Sequence, residues 1–229
     1  MKNEIEKRFK MVSASSTFKR IADTYHTYDK KVLDMGCGFG EYMQRFGKNS
    51  VGITTTKAEV EYGKAHAIDL RFGNVELLDK SLPPLKEFDM FWGNNLFEHL
   101  LSPHAFLVNL KQYAKNDALL ILGVPMVPKI VSLIKLKKFR GSLATPHINF
   151  FTKDTFRLTV ERAGWKVIDI RSFAFSSKTL DHATNSLMPH LYLVAKNDPT
   201  YTYPPKKIKE WKDDPHYTSL LEIMSNQGQ

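Results

Sequence analysis

Val32-Leu-Asp-Met-Gly-Cys-Gly-Phe-Gly40 decides the fold of this 229-residue chain. An apolar strand runs into a turn with glycine at 36, 38 and 40, and Asp34 stands where the strand ends. Glycine at these positions lets backbone approach a ligand closely and adopt dihedrals closed to other residues. The pattern predicts a helix over 41–46 whose first amides point back over the turn. The G-x-G-x-G spacing departs from the G-x-G-x-x-G of dinucleotide-binding turns, which argues against NAD.

Working outward, short apolar runs alternate with stretches of helical length. Strands are expected at 50–53, 68–72, 88–92 and 118–124, and helices at 57–67 and 103–115, the second after a Ser102 cap. A helix over 153–164 and strands over 166–173 and 190–196 follow as a closing antiparallel edge. This order predicts an α/β fold: a doubly wound, mostly parallel seven-stranded sheet with an antiparallel last strand, and a ligand site beyond the strands' carboxyl ends. Residues 1–30 read as an N-terminal helical cap and 31–196 as the single domain. An insertion spans 126–146, and 197–229 form a tail that wraps the surface and ends in a short helix.

Hydrophobic residues at 42% and aromatic residues at 12% suit a soluble packed core. No run approaches the roughly 20 apolar residues of a membrane span, and the first residues lack the apolar core of a secretion signal, so a cytoplasmic location is expected. The single cysteine, Cys37, has no internal disulfide partner, and its place inside the turn favours packing or cofactor lining over redox chemistry. The net charge of +9 is localised: residues 1–31 hold eight basic and four acidic residues, and 126–150 hold five basic and none acidic. Together these segments account for the whole excess. They lie outside the glycine-turn framework, as expected of a substrate-facing or surface-facing role, or of solubility alone.

The stretch from Val32 to Gly40 resembles motif I of the class I S-adenosylmethionine-dependent methyltransferases. Phe88-Asp-Met-Phe-Trp-Gly-Asn-Asn-Leu-Phe-Glu-His-Leu100 resembles the fourth strand and following helix of the branch that includes ubiquinone-biosynthesis and sugar O-methyltransferases. The segments 118–125, 147–152 and 156–170 keep the order of that branch. The resemblance implies S-adenosyl-L-methionine as cofactor, with Asp34, Gly36, Gly38, Gly40, Thr54, Asn74, Gly93 and Asn94 around it. Thr54 stands where relatives carry an acid for the ribose hydroxyls, so weaker ribose binding is expected, by on the order of 1 kcal/mol, unless another acceptor substitutes. Asn74 replaces an aspartate and keeps a carbonyl acceptor for adenine.

Methyl transfer to a hydroxyl needs an aligned nucleophile and a base. His99 and His147 are the candidate bases, with Glu98 orienting His99 or a substrate hydroxyl. Tyr25, Asn149, Lys135 and Arg140 are the candidate substrate contacts. In the related enzymes an upstream acid joins the Glu-His pair at a divalent metal. Asn95 occupies that position here, so no metal is expected. The segment 126–145 interleaves Lys129, Lys135, Lys137, Lys138 and Arg140 with Ile130, Val131, Leu133, Ile134, Leu136 and Phe139. It suits a cover for anionic substrates, peripheral contact with an anionic membrane, or nucleic-acid phosphate.

The expected function is methylation of a small anionic acceptor such as a sugar, glycan precursor or secondary metabolite. An RNA methyltransferase is a rival, disfavoured for base amino groups because the fourth strand ends in Gly93-Asn-Asn-Leu without an Asn/Asp-Pro-Pro-aromatic motif. A non-catalytic cofactor-binding module of the same fold is the other, motivated by Thr54 and Asn95.

Overall fold

A computed structural model describes residues 2–82, 85–128 and 134–225. Seven strands form one sheet: β1 Val32–Met35, β2 Val51–Thr54, β3 Leu70–Phe72, β4 Phe88–Asn94, β5 Ala114–Pro125, β6 Trp165–Arg171 and β7 His190–Asn197. Their order is β3-β2-β1-β4-β5-β7-β6. The first five pair in parallel, and β7 runs antiparallel between β5 and β6. The expected architecture is present, with the antiparallel strand inserted beside β5 and not at the edge.

Side-chain alternation splits the core into two layers, as a sheet covered on both faces requires. Leu33 and Met35 of β1, Phe91 of β4, Leu120 and Leu122 of β5 and Leu193 of β7 face one layer. Val32, Met90, Trp92, Ile121 and Val194 face the other. The first layer is covered by α4 (Pro103–Leu110), α5 (Lys153–Glu161) and the tail helix α8 (Pro215–Ser225). The second is covered by α2 (Ser16–Tyr25), which inserts Phe18, Ile21 and Ala22 at the i, i+3, i+4 spacing of one helix face. Ser15 caps α2, its hydroxyl accepting from the Phe18 amide at 3.2 Å, and separates it from α1 (Lys2–Ala14). Between β2 and β3 lies α3 (Lys57–Ala65).

Two local expectations change. The 41–46 segment forms only a three-residue 3-10 turn, Met43–Arg45, so no helix N-terminus points at the glycine turn. Phe46 goes instead to the core against Trp92, with ring centroids 6.1 Å apart. Ser102 precedes α4 but makes no side-chain cap. Glu76 substitutes from across the chain, its carboxylate accepting from the amides of Leu101 at 3.0 Å and Ser102 at 2.8 Å.

The tail forms two helices, α7 (Pro205–Trp211) and α8, where one was expected. It is part of the core: Tyr203, Leu220 and Met224 are buried, and His104 of α4 meets the Tyr203 hydroxyl at 2.8 Å. Lys111 locks the junction, donating to the carbonyls of Gly164 at 2.5 Å and Asp198 at 2.8 Å. Burial lowers its pKa to about 8. A short helix, α6 (Lys178–Thr184), connects β6 to β7. Among the described residues no helix is long and apolar enough to cross a membrane.

Because Met224 fills a buried site, Met224→Ala should cost about 2–3 kcal/mol of unfolding free energy, read from urea denaturation. An exposed tail would show a change near zero.

Candidate functional site

The carboxyl ends of β1, β2, β3 and β4 open into a cavity of about 560 Å³. Gly36 and Gly38 form one wall with φ of 74° and 57°, a region that side-chain-bearing residues seldom adopt. A Cβ on Gly38 would lie 2.7 Å from an Arg8 nitrogen and 2.9 Å from a Glu41 oxygen. Arg8 reaches over the turn from α1, paired with the buried Glu41 at 2.5 Å, and lines the same cavity. Thr54, Glu59, Asn74 and Leu96 complete the walls, and His99 stands at the rim with Leu100 and Leu101.

Asp34 is fully buried at the end of β1, and one of its carboxylate oxygens has no hydrogen-bond partner. Burial, then the charge of Glu41, raises its pKa well above the usual carboxylate range. Nearby, Asn94 donates from its amide nitrogen to the Tyr42 hydroxyl at 2.9 Å, while its own carbonyl oxygen lacks a partner. Burial, aided by the charge of Asp34, pushes Tyr42 up to about 12. A buried acceptor without a donor is costly, so Asp34 and Asn94 each keep capacity for a further donor, and both stand behind the residues that line the cavity. An ammonium group beside a cradle of glycines meets that need, and the residues fit S-adenosylmethionine.

Three sequence candidates around this cavity have other primary roles. Gly40 (φ 85°) faces Ile68, Leu70 and Met43, and a Cβ on Gly93 would meet Leu122, Met35 and Leu96, so close packing accounts for both glycines. The Asn74 carbonyl accepts from the Glu76 amide at 2.9 Å, capping the next 3-10 turn, which leaves one lone pair and the amide donors for a ligand. Cys37 is buried against Gly52, and burial pushes its thiol up, consistent with packing.

The second centre lies at the rim. Phe97–His99 form a 3-10 turn after β4, anchored by Phe97 stacked on Phe151 with centroids 5.1 Å apart. The returning segment is clamped to it: the Glu98 carbonyl accepts from the amides of Ile148 and Asn149, each at 3.0 Å. The Asn149 side chain donates to the Leu100 carbonyl at 2.6 Å. Asn149 is therefore a structural clamp, not a free substrate contact, and it sets His147 beside Glu98. His147 Nε2 lies 3.9 Å and His99 Nε2 4.0 Å from the same Glu98 oxygen. The imidazole rings meet edge to face at 4.7 Å.

Glu98 is 1% exposed, and neither carboxylate oxygen has a hydrogen-bond partner. Burial raises its pKa, opposed by its own backbone amide and the neighbouring His99. His99 Nδ1 sits 3.1 Å from the Pro146 carbonyl. That carbonyl can only accept, so Nδ1 carries a proton, and Nε2 is the ring nitrogen turned toward Glu98. One ligand atom from each of Glu98, His99 and His147 lies within 4.8 Å of the others. Two imidazoles and a carboxylate facing a common point fit a divalent cation. His147 thus supplies a donor that the comparison of Asn95 with an acid left out of account. Asn95 itself, at φ 53°, meets His190 Nε2 at 3.0 Å.

The remaining substrate candidates are not brought to this rim. The Tyr25 hydroxyl donates to Asp169 at 3.4 Å, within a buried network where Arg171 bridges Asp169 and Asp181. Burial raises the Tyr25 pKa. Lys135 and Arg140 are exposed on the insertion and are not among the cavity's lining residues. Part of that insertion forms a 3-10 helix, Lys137–Leu143, with Phe139 buried. Lys129, Ile130, Val131 and Leu133 lie outside the described residues. Sequence reasoning missed Arg8, Glu41, Tyr42, Glu59 and His190. Glu59 had a legible signal, as an acid in the first turn of the helix after β2.

A family model described as a methyltransferase domain matches residues 6–170. The chain belongs to this family. It is 33% identical over 101 residues to a ubiquinone biosynthesis O-methyltransferase of Maricaulis maris, covering 40% of this chain and 39% of that protein. It is 26% identical over 125 residues to a probable chloroplastic tocopherol O-methyltransferase of Oryza sativa, covering 50% of this chain and 34% of that protein. The chain thus spans half or less of the length of the first curated relatives it matches. A solved S-adenosylmethionine-dependent methyltransferase of Archaeoglobus fulgidus shares the fold, with a TM-score of 0.58 at 18% identity over 82% of this chain and 97% of that one. Family and fold together make S-adenosylmethionine the cofactor of this methyltransferase domain.

Asp34 allows a test of the buried corner. Its raised folded pKa means that stability present below the unfolded carboxyl pKa, about 4, is lost as pH rises through the folded value. Asp34→Asn should therefore melt a few degrees higher than wild type at pH 7 without ligand, and the gain should vanish near pH 3.5. A variant that melts lower at pH 7 would show that the carboxylate is satisfied within the fold.

Proposed function

We propose that this methyltransferase-domain protein is an O-methyltransferase acting on a small hydroxylated, anionic acceptor, a sugar derivative or secondary metabolite being the class in view. The observation that carries the reading is the Glu98, His99 and His147 cluster, whose His99 lines the glycine-walled cavity. S-adenosylmethionine, when bound, supplies an electrophilic methyl group on a sulfonium.

The chain's own residues have four tasks. Asp34 and Asn94, with unpartnered oxygens, hold the ammonium end of the cofactor. His99, whose Nδ1 proton is fixed on Pro146, presents Nε2 to take the proton of an acceptor hydroxyl. Glu98, buried beside it, stabilises the imidazolium that forms, and low local dielectric strengthens that pairing. Leu100 and Leu101 give the cavity an apolar wall beside His99. If a divalent cation joins the site, Glu98, His99 and His147 would hold it, and it would act as a Lewis acid on the acceptor oxygen.

Oxygen as the methylated atom is supported by the O-methyltransferase names of the relatives. The anionic acceptor is supported by charge alone, since residues 126–150 hold five basic and no acidic residues, while Lys135, Lys137 and Arg140 lie outside the cavity lining. The same segment is the part of the surface suited to peripheral contact with an anionic membrane.

His99→Ala and Glu98→Gln should each lower kcat by about 100-fold or more while leaving calorimetric binding of S-adenosylhomocysteine within about twofold of wild type. Unchanged turnover in both variants, assayed on an accepted hydroxylated substrate, would remove this cluster from the chemistry.

A further inference from the structure

Beyond the carboxyl end of β5 lies a smaller cavity of about 170 Å³, which shares no lining residue with the glycine-walled one. Met126 and Pro128 line it where the chain leaves β5, and Met188 and Leu191 line it beside the start of β7. The Met126 amide donates to the Pro189 carbonyl at 2.8 Å and ties these two apolar segments together. An apolar cavity of about 150 Å³ accommodates benzene, so this one has room for a single six-membered ring.

Two polar side chains in its lining have incomplete bonding. Asn185 is 5% exposed, and its amide nitrogen donates to the Ile170 carbonyl at 2.8 Å while its own carbonyl oxygen has no partner. The Ile170 carbonyl can only accept, which fixes the orientation of the amide, so a buried acceptor is left waiting for a donor. Lys153 stands in the first turn of α5, where its charge opposes the helix dipole. It forms no ion pair among the described residues. Asp154 beside it is exposed and lies outside the lining. His182, also in the lining, is already held by Asp169, 3.3 Å from its Nε2. Lys138 of the basic insertion donates to the Leu187 carbonyl at 3.1 Å, bringing a second ammonium to the 3-10 turn Asn185–Leu187.

We propose that this cavity is a second small-molecule site, which takes a hydroxylated carboxylate built on one ring. The ring packs against Met126, Pro128, Met188 and Leu191, the hydroxyl donates to Asn185 Oδ1, and the carboxylate accepts from Lys153. Each polar group of such a ligand meets a group that the fold leaves without a partner, and charge assistance makes the Lys153 contact the stronger of the two. The assignment goes beyond methyl transfer and does not rest on the nature of the acceptor.

NMR titration of the full chain with 3-hydroxybenzoate, with benzoate and with 3-hydroxybenzyl alcohol tests this, each run with and without saturating S-adenosylhomocysteine. Wild type should bind 3-hydroxybenzoate about 10-fold more tightly than either of the other two, with affinity unchanged within about twofold by S-adenosylhomocysteine. Lys153→Gln should bind it about 10-fold more weakly, and Lys153→Arg should restore most of the loss. Asn185→Ala should bind 3-hydroxybenzoate and benzoate alike. Asn185 also bonds Ile170, so its variant is read beside its melting temperature, and the partly buried Lys153 carries the test if that variant unfolds. Displacement of the probe by S-adenosylhomocysteine would overturn the assignment by placing the probe in the other cavity. Unchanged affinity in Lys153→Gln, equal binding of the three probes, or no saturable binding by folded wild type would also overturn it.

Discussion

A carboxylate buried at the end of β1, with an oxygen that the fold leaves without a donor, is the constraint around which this molecule is arranged. The chain leaves the strand beyond Asp34 through glycines at positive φ, two of which, Gly36 and Gly38, wall the neighbouring cavity. Everything that faces the corner respects it. Tyr42 and Asn94 bond each other, leaving the Asn94 carbonyl oxygen open, and Arg8 pairs with Glu41 across the turn without filling the cavity. The ligand-free fold carries the cost of an unsatisfied acceptor, and a cationic ligand relieves it.

The same logic recurs at the rim. Glu98 is buried with two unpartnered oxygens, and the imidazoles beside it stand near 4 Å, too far for hydrogen bonds and near enough to hold a cation in common. The returning segment 146–150 is fixed by backbone bonds to Glu98 itself, so the carboxylate's turn also sets the position of its neighbour His147. Cofactor corner and chemical rim thus lie at the carboxyl ends of adjacent strands, β1 and β4, as a parallel sheet requires.

The fold was largely legible in the sequence because strand alternation and glycine spacing are local signals. Val32 to Gly40 located the cradle, and the seven apolar runs located the strands to within a few residues. The misses have physical causes. The 41–46 segment carries helix-compatible residues, but Phe46 is drawn to Trp92 and the chain closes in a short turn, so tertiary packing overrides propensity. Asn149 and Tyr25 bear the right functional groups, yet both are engaged within the fold, one by the Leu100 carbonyl and the other by Asp169. Arg8 reaches the cavity through a contact across 33 residues, with Glu41, and spacing alone does not announce such a side-chain direction. His99, His147 and Glu98 were legible as residue types, but their convergence depends on a long-range return that no motif encodes.

Calorimetric titration of S-adenosylmethionine into the purified full chain, with Gly38→Arg as control, tests the central claim most directly. The account predicts saturable binding at one site per chain, abolished in the variant because an arginine at φ 57° would fill the cradle between Arg8 and Glu41. Absence of binding by a wild type that melts cooperatively would contradict it.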